Sequence, residues 1–315
     1  MRFIPFGVLL LGSWLALPAA ADEGSVMLQR LADAERTLSF QGTFVYERNG
    51  SFSTHSIWHQ AGESVALRER LLQLDGSAQE VVRVEGQVQC ASGALADQLI
   101  DSQLWPARAL NAEQLSAWYE LRVLGKSRVA GRATDVLALV PRDQHRYGIE
   151  LHLDQQTGLP LKSLLVNDKG QLLERLQFTE LETDAPVPSN LEPSAGCRPV
   201  RLGPVQAQAA EAWRSDWLPP GFSLSSVTQR RSPASDELVA CQVYGDGLAR
   251  FSVFMEPLRG EAVEDVRTQL GPTVAVSRRL KTNDGDVMVT VVGEIPLGTA
   301  ERVALSMRSV GEVAQ

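Results

Sequence analysis

The sequence predicts a mostly β, α+β protein of two domains. Three observations carry this. Strand-like runs rich in aromatic and β-branched residues recur between Asn-Gly, Asp-Gly and Glu-Gly turns. A proline-bearing stretch, residues 183–206, interrupts the pattern. The chain has 315 residues, too many for one ordinary core and enough for two.

The first 21 residues read as a signal peptide. Arg2 gives a positive start, Val8 to Leu17 is apolar, Pro18 breaks the run, and Ala19-Ala20-Ala21 supplies small residues for cleavage after Ala21. The apolar run is too short to serve as a membrane span. No Cys follows the cleavage site, which argues against a lipoprotein. Without this segment the chain keeps 29 basic and 38 acidic side chains. An acidic chain with no concentrated Lys/Arg block argues against nucleic-acid binding, which relies on neutralising phosphates. A 44% hydrophobic and 22% charged composition is that of a globular protein.

Residues 22–182 form the predicted first domain. Gly24 to Leu38 is an amphipathic helix, with Met27, Leu31, Ala34 and Leu38 on one stripe. Strands follow over Ser39–Tyr46, Phe52–Gln60, Val65–Leu74, Glu80–Val84 and Gln87–Cys90. Asn49-Gly50, Asp75-Gly76 and Glu85-Gly86 supply turns. Residues 91–117 lose the alternation, except that Asn111 caps a short helix, Ala112 to Trp118. Tyr119–Leu124 is a strand turned by Gly125-Lys126. Arg132–Val140, Tyr147–Asp154, Pro160–Asn167 and Leu172–Leu181 complete an antiparallel meander. Residues 183–206, with five prolines, read as a semi-rigid linker. Residues 207–315 form a smaller α+β domain: strands at Ser223–Arg231, Leu238–Tyr244 and Leu248–Met255, a helix at Ala262–Leu270, strands at Val274–Leu280 and Val287–Val292, and a final helix, Ala300–Met307, capped by Thr299.

Catalytic signatures are missing. There is no G-x-S-x-G, H-E-x-x-H, Walker or dinucleotide motif, and Gly245-Asp246-Gly247 is a hairpin turn. His55 and His59 share a strand face, but their Cα atoms would lie roughly 13 Å apart, too far for one metal ion. No metal and no cofactor are expected, and an enzyme with scattered catalytic residues is the weakest reading. Cys90, Cys197 and Cys241 fit no zinc or redox spacing. A Cys197–Cys241 bridge and three separate thiols both stay open, and an odd count leaves at least one unpaired. A curled antiparallel sheet with one helix can wrap an apolar groove. Phe44, Tyr46, Trp58, Leu72, Trp105 and Trp118 are its candidate lining, although such side chains usually just fill a core. Small basic clusters, Arg68/Arg70, Arg142/Arg146, Arg230-Arg231 and Arg278-Arg279/Lys281, are candidate docking points or ordinary solvated charges.

Several segments together resemble the RseB/MucB family of periplasmic regulators of an envelope-stress sigma factor. In the first domain they are Ser39–Tyr46, Leu71–Gly76, Arg146-Tyr147 and Asp154–Lys162. In the second they are Trp217–Phe222, Tyr244–Val253 and Val292–Pro296. The resemblance runs in order through the whole mature chain. It implies a first domain similar to the lipoprotein carrier LolA, a half-open β-barrel with a helix, and a smaller second domain. It implies a periplasmic, non-enzymatic protein that binds the periplasmic region of a membrane-spanning anti-sigma factor (RseA/MucA type) and shields it from proteolysis. Lipid or lipopolysaccharide would release the shield, with alginate control among the outputs. Partner-binding candidates in the second domain are Arg230, Arg231, Tyr244, Phe251, Arg278 and Arg279. A homo-oligomer stays open. The alternative is a simple lipid or lipoprotein carrier, against which the second domain speaks.

Overall fold

The computed structural model describes residues 19–310 except 63–64, 78, 93–109, 201–212, 234, 236, 261–262 and 284. Most of the signal segment, and Trp105, lie outside the described residues.

Helix α1 (Ala19–Thr37) precedes one antiparallel sheet of 11 strands. In chain order these are β1 (Phe40–Arg48), β2 (Ser51–Gln60), β3 (Arg68–Gln73), β4 (Glu80–Val84) and β5 (Gln87–Ala91), then helix α2 (Ala112–Trp118), then β6 (Tyr119–Val129), β7 (Arg132–Pro141), β8 (Gly148–Asp154), β9 (Pro160–Val166), β10 (Leu172–Glu182) and β11 (Arg198–Pro199). The spatial order is β11-β5-β4-β3-β2-β1-β10-β9-β8-β7-β6, so the sheet is open and β6 and β11 are its edges. The turn chemistry explains the register. Asn49-Gly50 and Glu85-Gly86 both have positive φ at each central residue, the geometry of tight hairpins whose twist matches the strands. Asn111 Oδ1 accepts the backbone N–H of Gln114 at 3.0 Å and starts α2 where expected.

The β6–β7 turn lies elsewhere than predicted. It is Ala130-Gly131, and β6 runs on past Gly125, which pairs with Val136 after a bulge at Leu124. Alanine is a poor residue for positive φ, so this turn carries little sequence signal.

Helix α1 buries Met27, Leu28 and Leu31 among Leu115, Tyr119, Leu121, Leu137 and Leu139. Leu28 and Leu31 are fully buried, each contributing roughly 1.5–3 kcal/mol. A Cβ on Gly24 would sit 2.8 Å from that of Leu121, so glycine sets the closeness of helix and sheet. Towards its end α1 places Ala34 on a second cluster that holds Phe40, Phe44, Tyr46, Ile57 and Phe178.

The second module has a six-stranded antiparallel sheet formed by β13 (Ser223–Arg231), β14 (Leu238–Gly245), β15 (Arg250–Pro257), β16 (Val266–Leu270), β17 (Thr273–Thr282) and β18 (Gly285–Gly293), in the order β13-β14-β15-β18-β17-β16. Helix α3 (Leu297–Ser306) packs Ala300, Val303 and Ala304 against Val274, Val276, Val289 and Val291. Strands β12 (Trp213–Ser215) and β19 (Met307–Ser309) pair with each other. Two expectations fail here. The helix expected over Ala262–Leu270 is the edge strand β16. All five of its side chains are exposed, so no apolar stripe supports a helix, and Gly271 at φ +60° turns the chain into a hairpin with β17. Helix α3 begins earlier than predicted, at Leu297 behind Pro296, and Thr299 does not cap it.

The cysteine pairing also differs from the bridge considered above. Cys90 and Cys197 form the disulfide, with Cα atoms 5.5 Å apart, and Cys241 is a buried free thiol on β14. The linker is therefore fastened. Its 3-10 turn Pro188–Leu191 lies against the first sheet, and β11 pairs with β5.

In denaturant without reductant, one thiol per chain should react with Ellman's reagent, that of Cys241. Cys90→Ser should lower the unfolding free energy by roughly 2–5 kcal/mol in urea titrations, and reductant should reproduce the loss in the wild type only.

Candidate functional site: the domain junction

The six groove candidates do not share one lining. Side chains alternate along a strand. Phe44 and Tyr46 face the buried cluster beneath α1, where Phe44 is 1% exposed and stacks on His55 at 5.2 Å. Buried without a full set of partners, His55 has its pKa lowered. His59 stacks on Phe40 at 4.6 Å and approaches Glu69 to 3.5 Å. Burial pushes the Glu69 carboxyl up, but His59 and Arg83 prevail and hold it at about 2.

Trp58 and Leu72 point to the opposite face. There Trp58 lies under the Arg70 guanidinium, 5.1 Å away, and Arg70 bonds Glu80 at 2.6 Å and the Asn190 carbonyl at 3.0 Å. Glu80 also accepts from the Ser194 backbone N–H, at 3.1 Å to one of its oxygens, and from the Ser194 hydroxyl. That face is thus the seat of the folded-back linker. Trp118, the last residue of α2, lies on neither face. Its indole meets Gly221 of the second module, where a Cβ would come within 2.2 Å.

Trp118 marks the junction, a site rich in buried polar contacts. At its centre Arg146, from the β7–β8 connection, donates to Asp246, from the β14–β15 turn, at 2.5 Å, and both side chains are completely buried. Arg146 also pairs with Asp143 at 2.9 Å and donates to the Pro220 carbonyl. Its guanidinium lies 5.1–5.6 Å from the ring centres of Phe222, Tyr119 and Trp118. Asp246 in turn accepts from the Tyr119 hydroxyl at 3.1 Å and from the backbone N–H groups of Leu248 and Ala249 at 2.8 and 2.7 Å. Burial, then the charge of Asp246, pushes the Tyr119 phenol well above its usual pKa. The sequence marks Gly245-Asp246-Gly247 only as a turn. Gly247 does turn the chain, at φ +101°, Gly245 ends β14, and the aspartate between them locks the domains.

On one flank Arg48, at the end of β1, reaches Thr273 and Glu294 of the second module, the latter at 3.1 Å. Glu174 of β10 lies 3.8 Å from Arg48 and accepts from the Tyr46 hydroxyl at 2.6 Å. Burial, reinforced by Glu294, raises the Glu174 carboxyl to about 7. Tyr147 donates to the Ile295 carbonyl at 3.1 Å. On the other flank His145 bonds Thr299 at 3.2 Å and meets the Trp217 ring edge-on at 5.2 Å. Thr299 serves this contact rather than a helix cap.

The partner-binding candidates divide as well. Tyr244 and Phe251 stack on each other at 5.3 Å inside the second core, 4% and 2% exposed, which removes them from any surface. Arg278 bonds Glu301 and lies 3.5 Å from Asp265, and Arg279 bonds Asp286. Arg230 and Arg231 end the edge strand β13, with Arg231 exposed. Among the described residues no three His, Cys, Asp or Glu side chains converge on a metal position, and no helix is long and apolar enough to cross a membrane.

An open antiparallel sheet with two helices, bolted through buried charge to a smaller α+β module, defines a class of two-domain, mostly β proteins. Family models narrow this: the MucB/RseB N-terminal domain matches residues 23–195 and the MucB/RseB C-terminal domain residues 207–308. The chain belongs to the MucB/RseB family. It is 64% identical over 303 residues to the sigma factor AlgU regulatory protein MucB of Pseudomonas aeruginosa, covering 96% of each chain. It is 27% identical over 299 residues to the sigma-E factor regulatory protein RseB of Escherichia coli, covering 92% of each. A solved structure described as the Pseudomonas aeruginosa MucA/MucB complex superposes with a TM-score of 0.80 at 63% identity, covering 93% of this chain and all of that one.

Asp246→Ala leaves Arg146 with Asp143 and the Pro220 carbonyl but without its fully buried carboxylate, and should cost about 3 kcal/mol, the low end of the range for breaking a buried pair. The double variant Arg146→Met/Asp246→Asn, whose amide oxygen still accepts from Leu248 and Ala249, should recover part of it. Urea unfolding of both variants is the check.

Proposed function

We propose that this protein is a periplasmic regulator that holds the periplasmic region of a MucA-type, membrane-spanning anti-sigma factor and shields it from proteolysis. The observation that carries this reading is the 64% identity to MucB through both domains, together with the fit to a MucB chain solved with MucA. The signal-like first 21 residues and the Cys90–Cys197 disulfide support an oxidising, exported location. The second module favours a regulator over a plain lipid carrier, because the junction commits two fully buried charges to holding it in place.

Release by lipid or lipopolysaccharide completes the proposal. A ten-carbon acyl chain gains about 8 kcal/mol gross on burial, enough to compete with a protein contact. It shifts the complex only if it binds the released state better than the bound one. Phe44 and Tyr46 are packed beneath α1, so an acyl chain that reaches them must first displace Ala34 from the sheet.

Calorimetry with a purified MucA-type periplasmic region tests the partner reading. Binding should occur, and a protease that cuts the free region should cut the complex at least tenfold more slowly. Arg230→Glu/Arg231→Glu should weaken association mainly through its on-rate and flatten its salt dependence. No binding by the intact chain sinks the regulator. Unchanged affinity at saturating lipid A fragments sinks the lipid arm alone.

A further inference from the structure

The flank of the junction around Arg48 has an unbalanced charge count. Glu174 belongs to the first domain and Glu294 to the second, and both face one guanidinium, at 3.8 and 3.1 Å. Tyr46 and Arg48 project from the same face of β1. Arg175, next along β10, lies on the opposite face and pairs with Glu47 at 3.4 Å, so it supplies no second cation to this side. Other polar neighbours are the Tyr46 hydroxyl, which donates to Glu174 and accepts from Arg48 at 3.3 Å, Thr273 on Arg48, and Tyr147, whose hydroxyl bonds the carbonyl of Ile295. Asp168, in the β9–β10 turn, acts on the Tyr147 phenol.

We infer that this flank is a proton-operated latch between the domains: one proton on the Glu174/Glu294 carboxyl pair leaves a single negative charge against Arg48 and closes the seam, and its loss sets two carboxylates against one guanidinium and loosens the seam. The device is independent of any partner and adds to the regulator reading rather than restating it.

The energetics agree with the geometry. Burial first, and for Glu174 the neighbouring carboxylate second, raise both groups, Glu174 to about 7. Opening the seam returns Glu174 towards the ordinary carboxylate value near 4.5. A carboxyl raised in the closed form binds its proton more tightly there, so closure gains as pH falls from about 7 and is lost as pH rises through it. One linked proton changes the closed-to-open ratio by at most about tenfold per pH unit in that window.

On the other flank His145 works in the opposite sense. Burial lowers its pKa, Arg302 and Arg146 add to this, and Asp143 opposes it. The closed form therefore disfavours His145 protonation, and acid weakens that contact. Below the ordinary histidine value of 6.5, proton uptake by His145 in the open form offsets the gain from the carboxyl pair, so the tightening levels off there as pH falls.

Hydrogen exchange of the full chain, corrected for intrinsic rates, reads the latch in peptides spanning 270–274 and 293–297. Protection in the wild type should rise up to tenfold per unit from pH 7.5 to 6. Glu174→Gln and Glu294→Gln, which keep the shape and remove the charge, should show acid-like protection already at pH 8 and little pH dependence, with unchanged far-UV circular dichroism. His145→Gln should keep the rise and extend it below pH 6.5. A flat wild-type profile overturns the latch, and so does a Glu174→Gln profile parallel to the wild type. Should Glu174→Gln not fold, Glu294→Gln decides the matter, alongside carboxyl carbon-13 shifts of the wild type. Glu174 titrating near the ordinary carboxylate value overturns it.

Discussion

The buried pair of Arg146 and Asp246 is the constraint around which the two domains are arranged. Neither side chain touches solvent, so each would be costly to bury alone, and the fold has to bring them together. Everything near them follows from that requirement. Tyr119 spends its hydroxyl on Asp246, the β14–β15 turn aims two backbone N–H groups at the same carboxylate, and three aromatic rings surround the guanidinium. A pair of this kind is weak evidence for raw stability, since apolar residues of similar shape often do as well. What it supplies is a unique orientation. A slid or rotated second module would strand a charge in an apolar seam.

Family likeness extends through both domains rather than stopping at the linker. Arg146 and Tyr147 belong to the first-domain resemblance, and Asp246 and Ile295 to the second. Across the junction they meet as donor and acceptor. Segments far apart in the chain are thus two halves of one contact. The surface left for a partner is correspondingly narrower than the sequence suggests, because Tyr244 and Phe251 are interior and Arg278 and Arg279 are engaged by carboxylates.

Much of the fold is legible in the sequence, because hairpins announce themselves locally. Asn49-Gly50, Glu85-Gly86 and the Asn111 cap each act over a few residues, and each is found where the local chemistry places it. What fails is either poorly marked or long-range. Ala130-Gly131 adopts positive φ with a residue that rarely does so, and β16 is held by β17 rather than by its own pattern. Trp58 and Phe44 both look like groove residues, yet strand parity sends them to opposite faces of the sheet. Cys90 and Cys197 are separated by 107 residues, and no spacing rule links them. The junction was the least legible feature, since Asp246 reads as an ordinary turn aspartate until the residue opposite it is known.

The fastened linker sets a length scale. With Cys197 held on β5, the second module's first described strand begins only 16 residues later, at Trp213, a leash of at most about 56 Å. Measured instead from the end of β10 at Glu182, the leash would be 31 residues, or about 110 Å. Held at Cys197, the chain allows about half the greatest separation that it would allow from Glu182. The bond thereby favours recapture after each transient separation, without touching either surface that meets.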